Sequence, residues 1–114
     1  MPVAVPVLPV SDLDRAIAFY GTLGSGLVSR YDQYAIVSLE GAEVHLTCTE
    51  GIDPACTTSG AYLRVDDAAE VHHRWIGAGA REVAPLADQP YGITEFATED
   101  PDGNLWRVGS PTAP

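Results

Sequence analysis

The chain has 114 residues, 46% of them hydrophobic, which is material for one core and too little for a second independent domain. Sixteen acidic residues stand against six arginines and no lysine, a formal net charge of −10; nothing here neutralises a phosphate backbone, so nucleic acid is excluded as a partner. An acidic surface keeps a chain soluble, and it also suits a cationic ligand. No apolar run approaches the length of a membrane span, and the N-terminus lacks the basic-then-apolar pattern of a secretion signal. A cytoplasmic location without a membrane partner is therefore expected. Cys48 and Cys56 belong to no CxxC pair and read as free thiols.

Residues 3 to 10 are β-branched and punctuated by proline, which suits a strand near a sheet edge. Ser11 offers an N-cap with Asp14 three residues on, close to a capping box. Leu13, Ala16, Ile17, Tyr20 and Leu23 then follow helical spacing up to Gly24. Short extended runs follow at Gly26 to Arg30, Tyr34 to Leu39 and Ala42 to Thr49. The first half reads β-α-β-β-β, and a segment rich in Gly, Pro, Thr and Ser comes after it.

The second half repeats the first. Leu8, Val10, Asp12, Tyr20 and Gly24 recur 55 positions later as Leu63, Val65, Asp67, Trp75 and Gly79. Ala68, Val71, Trp75 and Ile76 form the apolar stripe of the second helix. Such self-similarity marks two copies of one supersecondary unit, neither able to cover its sheet alone. The expected layout is a single domain over 1–114, with unit 1 at about 1–50, a linker at about 51–58 and unit 2 at about 59–110. The fold class is α+β.

In the second unit, Asp100-Pro101-Asp102-Gly103 is a tight turn: proline presets φ, aspartate bonds back to local backbone and glycine accepts positive φ. The runs on either side of it, from Ile93 and from Leu105, should pair as antiparallel strands. With Gln89, Pro90, Tyr91 and Gly92 before it, Glu95 and Phe96 within it, and Asp100, Pro101, Gly103 and Asn104 closing it, this stretch resembles the last hairpin of the glyoxalase/bleomycin resistance/extradiol dioxygenase (vicinal oxygen chelate) superfamily. Within that superfamily it is most similar to the bleomycin-binding proteins. The resemblance covers nearly the whole chain. It implies two βαβββ units forming a cup-shaped mixed sheet, in a homodimer that exchanges units between chains.

Alternation assigns side chains to the two faces of each sheet. Glu43, His45, Thr47 and Thr49 oppose Val44, Leu46 and Cys48; Tyr34, Ile36 and Ser38 oppose Ala35, Val37 and Leu39; Tyr62 and Arg64 oppose Ala61, Leu63 and Val65. The polar sets should look into the cup. Trp106 and Val108 are assigned to the core, and Phe96 fits either face.

Metalloenzymes resembling this chain place His, Gln or Glu on the first and last strands of the units. Here those positions fall on Val5, Gly60, Arg107 and a place at or beside His45. Three or four convergent donors are needed to hold a metal, so neither metal nor other cofactor is expected. His72 and His73 are adjacent on a helix, about 100° apart, and cannot chelate together. No nucleophile elbow, phosphate loop or dinucleotide fingerprint is present, and no catalytic residue is assigned.

The resemblance implies sequestration: an aromatic, cationic natural-product antibiotic of bleomycin type held in a dimer crevice and left unchanged, conferring resistance. The candidate ligand-binding residues are Tyr31, Asp32, Tyr34, Ser38, His45, Tyr62, Tyr91, Gly92, Glu95 and Arg107. Rings with polar tips suit stacking on a planar ligand, and Asp32, Glu43, Glu50, Glu95 and Glu99 are the carboxylates placed to meet a cation. The alternative is a glyoxalase- or dioxygenase-like enzyme of the same fold acting on a small oxygenated metabolite.

Overall fold

The structure, a computed structural model, describes residues 2–113. Unit 1 runs β1 (Val7–Val10), α1 (Leu13–Thr22), β2 (Gly26–Arg30), β3 (Tyr34–Leu39) and β4 (Ala42–Cys48). Unit 2 repeats it as β5 (Gly60–Arg64), α2 (Ala68–Gly77), β6 (Arg81–Asp88), β7 (Ile93–Glu99) and β8 (Leu105–Pro111). One short 3₁₀ turn, Pro54–Cys56, stands between the units. Each unit makes a four-stranded mixed sheet, ordered β1-β4-β3-β2 and β5-β8-β7-β6. In each, the first strand lies parallel to the last and the remaining pairs are antiparallel.

The two helices start alike. Asp12 and Asp67 accept hydrogen bonds from the backbone N–H three residues on, satisfying a donor that a helix N-terminus leaves unpaired. The expected cap at Ser11 is thus corrected by one residue. The first strand is also shorter than expected, beginning at Val7. Gly24 and Gly79, with φ of 96° and 94°, end the helices in a conformation that costs other residues energy.

Alternation holds in β3, where Ala35, Val37 and Leu39 are buried and Tyr34, Ile36 and Ser38 are only half-buried. The buried faces of both sheets and both helices share one apolar cluster, from Leu8, Tyr20 and Leu46 in unit 1 to Trp75, Phe96, Trp106 and Val108 in unit 2. Phe96 is thereby settled as core, its ring edge-on to Trp75 and His72. His72 flanks the second helix and bonds Glu82 at 2.5 Å, while His73 is exposed.

The tight turn after β7 does more than reverse the chain. Asp100 is buried and accepts four hydrogen bonds: from the Tyr20 hydroxyl at 2.7 Å, the Asn104 side-chain amide at 2.8 Å, and the backbone N–H groups of Asn104 and Asp102 at 2.9 and 3.0 Å. Tyr20 accepts in turn from the Trp106 indole at 2.9 Å. Asn104 also donates to the Pro9 carbonyl at 2.8 Å, and Asp102 accepts from the Ser11 hydroxyl at 2.6 Å and from Arg15 at 3.1 Å. Gly103 is required here, since a Cβ would collide with the Pro54 carbonyl. The turn therefore bolts unit 1 to unit 2.

Burial raises the Asp100 pKa while its four donors oppose that rise. Only an acceptor satisfies all four donors, so losing the carboxylate leaves buried polar groups unpaired. Asp100→Ala should lower unfolding free energy by about 3 kcal/mol, and Tyr20→Phe by about 1 to 2 kcal/mol. Urea melts check this; the midpoint should fall at unchanged slope.

Candidate functional site

The face of each sheet turned away from the core carries the candidate side chains, and on each they gather into a cluster. On unit 1, Tyr34 and His45 lie on adjacent strands, Tyr34 opposite Thr47 and His45 opposite Ile36. The Tyr34 hydroxyl meets His45 Nδ1 at 2.6 Å, and His45 Nε2 meets Glu43 at 2.5 Å. Glu43, expected as a rim carboxylate, is engaged with the imidazole. Ser38 lies on the same face, further along β3. Tyr31 and Asp32 sit exposed in the turn between β2 and β3, and neither side chain has a hydrogen-bond partner among the described residues.

On unit 2 the register sets Glu95 opposite Gly109 and Tyr62 opposite Arg107. Glu95 is buried and accepts from the Tyr62 hydroxyl at 2.8 Å, and it accepts a second hydrogen bond from the Tyr91 hydroxyl. Gly109 makes this geometry possible: a Cβ there would occupy the place of the Tyr62 hydroxyl. Gly92, at φ 81°, turns the chain from the Tyr91 loop into β7. Both rings remain open to solvent, Tyr62 at 45% and Tyr91 at 62% exposure. The Arg64 guanidinium lies 5.7 Å from the centre of the Tyr62 ring.

The electrostatics follow from that carboxylate. Tyr62 is held above the ordinary phenol pKa by desolvation first, then by its hydrogen bond to Glu95 and the Glu95 charge, with Arg64 opposing. Tyr91 is raised first by its hydrogen bond to Glu95, and Arg107 opposes. A proton held more tightly in the folded state adds stability below the ordinary phenol pKa, and that stability is lost as pH rises through the raised value.

The structure brings Tyr62, Tyr91, Gly92, Glu95 and Arg107 to one sheet and Tyr34, Ser38 and His45 to the other. No hydrogen bond among the described residues joins the two clusters. Gly109 was missed by sequence reasoning; its only signal was an isolated glycine within a strand pattern, the mark of close approach. Glu99, expected at the rim, pairs with Arg81 at 2.6 Å.

Of the four positions that resemblance assigns to metal ligands, three offer no donor atom, and the fourth, at or beside His45, offers one imidazole whose ring nitrogens meet Tyr34 and Glu43. Gly60 cannot carry a donor side chain, because a Cβ would collide with the Leu105 carbonyl. Val5 offers no donor atom and Arg107 offers a cation. Among the described residues no three His, Cys, Asp or Glu side chains converge to hold an ion.

A bleomycin resistance protein from Klebsiella pneumoniae is 33% identical to this chain over 112 residues, covering 92% of this chain and 89% of that one. A crystal structure of a bleomycin-binding protein complexed with bleomycin superposes with a TM-score of 0.87 at 31% identity, covering 96% and 98% of the two chains. The structure of a bleomycin resistance determinant encoded on the transposon Tn5 superposes at 0.90 with 30% identity over 99% and 100%.

Glu95→Gln removes the charge that both phenols share, so Tyr62 and Tyr91 should ionise at lower pH than in the parent chain, read as an earlier rise in phenolate absorbance. The repeated units and the paired sheets agree with the family comparison, in which the model of the glyoxalase/bleomycin resistance protein/dioxygenase superfamily matches residues 3–108: the chain belongs to that superfamily.

Proposed function

We propose that this chain sequesters an aromatic natural-product antibiotic of bleomycin type and releases it unchanged, so conferring resistance. The observation that carries the reading is the pair of exposed rings, Tyr62 and Tyr91, braced on one buried carboxylate. Fixing both hydroxyls on Glu95 limits the freedom the rings lose when a planar ligand stacks on them, and pre-organisation of this kind raises affinity. Similarity to proteins that bind bleomycin supports the same reading.

The proposal includes a homodimer in the cytoplasm. Tyr34 and His45 on one sheet, and Tyr62 and Tyr91 on the other, present two open half-sites, and a crevice taking unit 1 from one chain and unit 2 from its partner would complete both. Tyr31, Asp32 and Ser38 would lie on the unit 1 wall of that crevice. The division into units at about 1–50 and 59–110 belongs to the same proposal. No helix among the described residues is long and apolar enough to cross a membrane. The enzyme alternative lacks support at the residues where a metal would be held, since Val5, Gly60 and Arg107 supply no ligand atoms.

Titrating the purified chain with bleomycin should give a saturable change in intrinsic fluorescence at micromolar concentration; no saturable change removes bleomycin as the ligand. Tyr91→Ala should weaken that binding about tenfold, the worth of one stacked ring. Its melting temperature should fall only slightly, because the Tyr91 ring is 62% exposed and Tyr62 still donates to Glu95.

A further inference from the structure

The arginines divide into two groups. Arg15, Arg30, Arg74 and Arg81 each lie on a carboxylate. Arg64 and Arg107 have no carboxylate partner among the described residues, in a chain of 16 acidic residues. Both stand on the tyrosine face of unit 2, where the buried acid, Glu95, already accepts two phenol hydroxyls.

Their surroundings differ. Arg64 borders a hollow that is also lined by the acidic residues Glu40, Asp66, Asp67 and Glu70. Arg107 borders an open surface cavity of about 330 Å³ between Thr58, Ser59, Tyr62 and Leu105, and no carboxylate lines it. The Ser59 hydroxyl is committed to Asn104 at 2.5 Å. The Thr58 hydroxyl and the Arg107 guanidinium make no side-chain hydrogen bond among the described residues. An uncommitted guanidinium fork beside an exposed ring matches a planar oxyanion joined to an aromatic system.

We propose that the cavity beside Arg107 takes the carboxylate of an aromatic acid whose ring stacks on Tyr62, so that the molecule this chain holds carries an anionic group at this end. Arg107 would fix the acid through paired N–H donors, and Tyr62, set opposite it in the register, would receive the ring. The inference rests on the reading of the tyrosine face as the ligand-binding face, and it departs from a purely cationic ligand.

The test uses the full chain and two probes of equal shape, 2-naphthoate and 2-naphthamide, compared by calorimetric titration. The acid should bind about tenfold or more tightly than the amide, as a charge-assisted hydrogen bond implies, and added salt should shrink the difference. Arg107→Gln should bring the two probes to within about twofold of each other, with Arg107→Lys recovering part of the preference. Equal affinities in the parent chain overturn the inference, as does a preference that survives Arg107→Gln. Failure of both probes to bind overturns it too; a carboxylate of a second copy seated on Arg107 would produce that result. If bleomycin still binds in that case, sequestration stands and only the anionic subsite falls; if bleomycin also fails, the reading of the tyrosine face falls with it.

Discussion

The joint between the two units centres on a buried carboxylate in the turn after β7. Asp100 holds Tyr20 of the first helix, the side chain of Asn104 and two backbone N–H groups of its own turn, and Asn104 reaches across to the Pro9 carbonyl. Neither unit could cover its apolar sheet face alone; together they enclose one core from Leu8 to Val108. With that face used up in joining the units, the opposite faces remain for chemistry. The hydrogen bonds that join the units also set β8, and β8 carries Arg107 and Gly109 beside Tyr62.

The site is a consequence of strand register. Glu95 and Phe96 are neighbours on β7 and both are buried, yet one serves the tyrosines and the other the core. A slip of one residue would exchange them. The antiparallel register with β8, with Glu95 opposite Gly109 and Phe96 opposite Val108, fixes which goes where. The absence of a side chain at position 109 then lets the Tyr62 hydroxyl descend to the carboxylate. A glycine at one position and an acid on the neighbouring strand make a two-ring platform.

Much of this was legible in the residues. The 55-position repeat revealed two units, and alternation along β3 and β4 assigned Tyr34, Ser38 and His45 to the open face, where the structure has them. Long-range partnership was not legible. Ser11 looked like a helix cap because serine caps helices, but its hydroxyl bonds Asp102, 91 residues away, leaving Asp12 to cap. The Asp-Pro-Asp-Gly turn declared its geometry but not its partners in unit 1, because local chemistry sets the turn and tertiary packing sets its contacts. Glu95 was expected to face a ligand cation; two phenols reach it first. Spacing along a strand says which face a residue takes, never how many neighbours will compete for it.

The central claim is that the tyrosine face stores a molecule and does not transform it. Dialysing the chain to equilibrium against bleomycin, then recovering the ligand and weighing it by mass spectrometry, addresses that claim directly. The account predicts uptake that stops at a fixed ratio of ligand to chain, with all recovered ligand at its original mass. Ligand of altered mass, accumulating beyond the amount of protein present, would contradict it.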